Sequence, residues 1–162
     1  MKKAALTLLL TASALFGMAQ GRFHALNKIE LDSDSLAAAI ERVVLDKSKY
    51  NPEKQYATLF FHGGYFENGF CRFAQLSISS LGKNKFSEKY IGYLYISGAF
   101  IFVYKPSIDA DRKWLKVPDK PETRDFPFED DDKLTGFDGV AHWDFLLLGK
   151  DNVILTRKQE SW

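Results

Sequence analysis

Between Leu31 and Lys49 the apolar positions Leu36, Ile40, Val43 and Val44 recur at helical spacing and form one stripe. Asp32, Ser33 and Asp34 precede the stripe as candidate N-caps, and their acidic character suits the positive end of a helix dipole. Lys47 and Lys49 fall at the other end, and Asn51-Pro52 closes the segment. One apolar stripe on an otherwise polar helix predicts a helix laid on a sheet.

From Gln55 onward the period changes to two. Asn68-Gly69 is a hairpin turn signal between two apolar runs. Centring a hairpin there pairs Phe61 with Leu76, Leu59 with Ile78, Gly63 with Ala74 and Tyr65 with Arg72. One face is then consistently apolar, because directly opposed residues share a face. The other face pairs Phe60 with Ser77 and His62 with Gln75 and is mixed. Ser79 to Ser87 reads as a polar connection. Tyr90 to Ile96 and Ala99 to Tyr104 read as two strands joined at Ser97-Gly98, with one bulged strand as the alternative. Ala141 to Leu148 and Val153 to Arg157 predict a closing hairpin.

The stretch from Ser107 to Gly139 differs in kind. It holds Pro118, Pro121 and Pro127, and an acidic run of Asp125, Glu129, Asp130, Asp131 and Asp132 around Phe126 and Phe128. It reads as a long loop, with one helical turn near Asp111 to Lys116. Loops of this length in compact domains are often functional. The expected architecture is α+β: one N-terminal helix packed on a twisted antiparallel sheet of about six strands. Residues 31–162 form a single domain whose long acidic loop spans 107–139, and 20–30 form a flexible lead.

The first residues carry an address. Lys2 and Lys3 precede Ala4 to Phe16, a 13-residue run without charge that holds five leucines. That length fits the core of a secretory signal and falls short of the ~20 residues that a membrane-spanning helix needs. Small residues at Gly17 and Ala19 predict cleavage after Ala19, making 1–19 a signal peptide and the mature protein exported, periplasmic or secreted. No transmembrane segment is expected after cleavage.

Composition narrows the function. Loss of Lys2 and Lys3 reduces the 22 cationic residues to 20 against 21 acidic ones. A slightly acidic chain lacks the clustered basic excess of a nucleic-acid binder. The 14 Phe and 7 Tyr favour strands and a thick core. Cys71 is the single cysteine, so no intramolecular disulfide is available and the fold rests on burial.

Catalytic constellations are sparse. His24, His62 and His142 show no metal-ligand spacing, and no Gly-x-Ser-x-Gly elbow exists. Gly63-Gly64 is not followed by the Lys-Ser/Thr of a phosphate loop and reads as a site for a twist, a bulge or close packing of Phe73 across the pair. A Cys71–His142 nucleophilic pair requires another strand to bring His142 near. Asp130, Asp131 and Asp132 are the candidate ligands for calcium, a hard cation that takes oxygen donors. Trp114, Phe126, Phe128 and Trp143 cluster in or near the long loop, where aromatics either pin the loop to the core or contact a partner. The reading is an exported, non-enzymatic binding or interaction protein with an unknown protein or small-molecule partner. The alternative is a small secreted hydrolase using Cys71 with His142, or carboxylates of the loop.

Overall fold

The computed structural model describes residues 22–53, 55–67, 69–79, 87–128 and 140–161. Residues 1–19, expected to be a signal peptide, and Asp130–Asp132 lie outside them. The described chain is α+β and mostly sheet. Its strands, in chain order, are β1 (Arg22–Asn27), β2 (Glu30–Leu31), β3 (Tyr56–Phe66), β4 (Gly69–Ser79), β5 (Tyr90–Ile96), β6 (Ala99–Tyr104), β7 (Leu115–Lys116), β8 (Thr123–Phe128), β9 (Val140–Gly149) and β10 (Asn152–Ser161). Helix α1 spans Asp34–Val44, and the short 3-10 helix η1 spans Asp109–Trp114.

Six strands form the main sheet in the order β10-β9-β4-β3-β6-β5. Every pairing in it is antiparallel except β3 with β6, which run parallel where Ala57 faces Ile101 and Leu59 faces Val103. The hairpin β5–β6 turns at Ser97 and Gly98, both with positive φ (48° and 88°), the backbone signature of a tight turn that follows strand twist. This settles Tyr90 to Tyr104 as two strands. The closing hairpin β9–β10 forms as expected and extends over Val140–Gly149 and Asn152–Ser161.

Hairpin β3–β4 forms with its register two residues away from the expected one. Phe61 faces Ala74, Leu59 faces Leu76, and Phe66 faces Gly69. The positive φ of Gly69 (111°) falls where the chain enters β4, not in the centre of the turn. A shift of two preserves face parity, so each side chain keeps its expected side of the sheet.

Side chains of β3, β4, β6 and β9 on one face form the larger core with α1. Leu36, Ile40, Val43 and Val44 of the helical stripe meet Leu59, Phe61, Leu76, Ile101 and Phe145 there. The helix is shorter than the 31–49 segment because Ser33 caps it at one end, accepting from Leu36 N at 3.1 Å. Asp46 then gathers Ser48 and Lys49 into a turn just past the other end.

Residues 20–30 and 107–139 differ from the sequence reading where they are described. Arg22–Asn27 pairs antiparallel with Thr123–Phe128 along six residues. This two-stranded ribbon lies over the opposite face of the sheet at its β5–β6 end, where Leu26, Phe126 and Phe128 bury against Tyr90, Tyr93 and Phe102. Parts of the segments read as a lead and a long loop thus supply a second, aromatic core. Pro127 is tolerated because each strand of a two-stranded ribbon is an edge and leaves a donor position free.

A candidate binding cleft between the ribbon and the sheet

Period-two alternation carries the cleft. On β5, Tyr93 and Tyr95 project to the ribbon-covered face, and on β6 Phe102 and Phe100 stand directly opposite them. The ribbon covers the first pair and stops short of the second. Tyr93 is buried, whereas Tyr95 is 52% exposed and rests against Phe100 at 4.8 Å between ring centroids. On β8, Arg124 precedes Phe126 by two and therefore shares its inward face. Its guanidinium lies over Phe100, 4.3 Å from the ring centroid, and 5.8 Å from that of Phe126. The β1–β2 junction forms the remaining wall: Lys28 N donates to Glu122 O at 2.7 Å, and Ile29 N donates to Tyr93 O at 2.8 Å.

The result is a cleft of about 240 Å³ lined by Lys28, Tyr93, Tyr95, Phe100, Glu122 and Arg124. Its charges are not equally committed. Lys28 Nζ pairs with Glu122 Oε2 at 3.5 Å. Arg124 has no carboxylate partner and no side-chain hydrogen bond among the described residues, only the two aromatic faces. Tyr93 is 1% exposed, and its hydroxyl has no hydrogen-bond partner among them. Burial pushes its phenol above the usual range, and the Glu122 charge adds to this against the opposing pull of Lys28 and Arg124. Tyr93 therefore keeps its proton at neutral pH and offers a donor.

The other half of the same sheet face carries polar cross-strand pairs. Gln75 Nε2 donates to Asp144 Oδ1 at 2.8 Å, and Ser77 Oγ meets His142 Nδ1 at 2.7 Å. Cys71 lies on this face opposite Gly64, six residues along β4 from Ser77. At about 3.3 Å per residue, that separates Cys71 from the His142 row by roughly 20 Å. His62 is a diagonal neighbour of Cys71, stacked on Phe73 at 5.4 Å, and makes no hydrogen bond to it.

Trp114, Phe126, Phe128 and Trp143 are all buried. Trp114 and Trp143 belong to the core beneath α1, and Phe126 and Phe128 to the core beneath the ribbon. Exposed rings gather at the tip of β3–β4, where Tyr65 is 85% exposed and lies 5.0 Å from Phe70, and Phe66 lies 5.5 Å from Phe73. A Cβ on Gly63 would stand 2.3 Å from Phe70 Cζ, so the close packing expected at Gly63-Gly64 takes place with Phe70 and not with Phe73.

Among the described residues, no group of three or more His, Cys, Asp or Glu is placed to hold a metal ion. None of the six cleft residues stands out as a sequence motif. The legible signal was the alternation of Tyr93 with Tyr95 and of Arg124 with Phe126, which places an arginine on an inward face. No protein-family model, curated protein or solved structure matches this chain.

Proposed function

We propose that the protein is an exported, non-enzymatic binding protein of the cell envelope or exterior, built as one N-terminal helix on a twisted antiparallel sheet. The observation that carries this reading is the cleft, where a guanidinium without a carboxylate partner among the described residues lies over an aromatic floor beside the Tyr93 phenol. Rings, a fork of N–H donors and a hydroxyl are groups that recognise a small molecule. The export half of the reading is supported by the charge and apolar pattern of residues 1–19. Among the described residues no helix is long and apolar enough to cross a membrane.

The hydrolase reading through Cys71 and His142 has less support, since the two stand on the same face about six residues apart along β4. Calcium at Asp130, Asp131 and Asp132 is proposed from the sequence alone.

Two measurements test the proposal. N-terminal sequencing of protein recovered from the periplasm or medium should begin at Gln20; protein retained in the cytoplasm with residues 1–19 intact would overturn export. Melting of the purified protein against a panel of small envelope metabolites should show saturable stabilisation without turnover. Turnover of ester or glycoside substrates that is lost in Cys71→Ala would overturn the non-enzymatic reading.

A further inference from the structure

The cleft residues also restrict the ligand. Lys28 and Glu122 neutralise one another, so the net electrostatic character of the cleft comes from Arg124. A guanidinium with no carboxylate partner among the described residues is suited to an anion, and its planar fork matches a carboxylate. Tyr93 also lines the cleft, and its hydroxyl supplies one further donor. Beside these polar groups the exposed ring of Tyr95 packs on Phe100, whose face carries the Arg124 guanidinium. The volume, about 240 Å³, lies below the ~300–1,000 Å³ typical of sites for larger ligands. One ring bearing one acid group is the scale of this volume.

We propose that the cleft binds a small ring carboxylate, its acid group held by Arg124 and Tyr93 and its ring laid against the exposed ring of Tyr95. This rests on the cleft being a binding site at all. The two sources of such a ligand, a sugar acid and an aromatic acid, share this chemistry and are separated by the probes below.

The test is a titration of the purified protein followed by NMR, using glucuronate and benzoate, their neutral counterparts methyl glucoside and benzamide, and inorganic phosphate. Glucuronate or benzoate should shift signals of Lys28, Tyr93, Tyr95 and Phe100 saturably. Either should bind about tenfold or more tighter than its neutral counterpart, as loss of a charge-assisted hydrogen bond implies. Arg124→Met should lose that margin, and Tyr93→Phe, which deletes only the hydroxyl, should weaken binding by about threefold or more. Arg124→Lys should fall between, since it keeps the charge and loses the fork. Unchanged amide signals in α1 and β9 will show that each variant is folded.

Equal binding of neutral and anionic probes, tighter binding of phosphate, or indifference to Arg124→Met would overturn the ligand class while leaving a binding cleft. No shift of cleft signals with any probe at about 10 mM would overturn the cleft itself as a small-molecule site.

Discussion

Arg72 Nη1 on β4 donates to Asp111 Oδ1 of η1 at 2.9 Å, and the Asp111 side chain is 1% exposed. This pair ties the 3-10 helix to the end of hairpin β3–β4, 39 residues upstream. Asp111 Oδ2 and the neighbouring Trp114 Nε1 are buried without hydrogen-bond partners among the described residues, so the arginine is the principal compensation for a buried carboxylate. Removing one partner of such a pair costs more than the pair itself contributes, because the remaining charge is stranded. Arg72→Met should lower the unfolding free energy by about 3 kcal/mol or more in urea titration. The double variant Arg72→Met with Asp111→Leu should recover most of that loss. A double variant no more stable than Arg72→Met alone would show that the pair does more than cancel its own burial.

Gly92 marks the closest approach of the β1–β2 junction to the sheet. A Cβ there would stand 2.5 Å from Asn27 O and 3.0 Å from the Ile29 Cγ2 methyl. The first contact is backbone, which cannot swing aside as a side chain does. Gly92→Ala should therefore destabilise by about 1–3 kcal/mol. It should also weaken the Ile29 N to Tyr93 O hydrogen bond and loosen the wall that Lys28 gives the cleft. Chemical denaturation gives the first effect, and faster hydrogen exchange at Ile29 gives the second. Gly63→Ala is the contrast: its added methyl meets the outer end of the Phe70 ring, a part-exposed side chain free to move, so the loss should be clearly smaller.

Local patterns carried much of this fold and little of the cleft. The stripe Leu36, Ile40, Val43 and Val44 is the buried face of α1, and Ser33 was among three candidate caps. Hairpins β5–β6 and β9–β10 were legible because each closes over a few residues with its own turn chemistry. The β3–β4 register was misplaced because the same Asn68-Gly69 signal fits two hairpin centres that give identical faces. Ribbon β1–β8 was not legible, since its partners lie about a hundred residues apart and neither strand shows a strong run. Phe126 and Phe128 did alternate, but acidic residues and Pro127 around them gave the stronger impression of a loop. The cleft exists only where that ribbon meets β5 and β6, so it inherited the same obscurity.

Ser33 joins two elements through one hydroxyl. It accepts from Leu36 N at 3.1 Å and donates to Lys150 O, in the β9–β10 turn, at 2.5 Å. Asp32 and Lys150 add an ion pair beside it. Ser33→Ala removes a cap and leaves a carbonyl without its partner, so the expected loss is about 1–2 kcal/mol. An ordinary exposed cap affects the first helical turn alone. Here hydrogen exchange should also quicken at Asp151 and Asn152, and protection confined to its normal values there would refute the link.

Two buried tyrosines, Tyr50 and Tyr93, make stability depend on pH on the alkaline side. Burial raises the phenols of Tyr50 and Tyr93, so the folded state holds these protons to higher pH than the unfolded chain, whose tyrosines titrate near 10. Below that value both states are neutral and the contribution is constant. Above it the unfolded state has lost protons that the folded state retains, and stability falls as pH rises toward the folded values. Tyr50→Phe and Tyr93→Phe should each flatten the decline in unfolding free energy measured from about pH 9 to 11. The acid side has a different origin. Hydrogen bonds from Lys49 and then Ser48 hold the Asp46 carboxyl down to about 2, so its share is present above the ordinary 3.8 and lost as pH falls through about 2. Asp46→Ala should remove that acid-side slope and leave the alkaline limb unchanged. Tyr93→Phe should do the reverse, and it should also abolish any alkaline loss of ligand affinity that comes from ionising the phenol in the cleft.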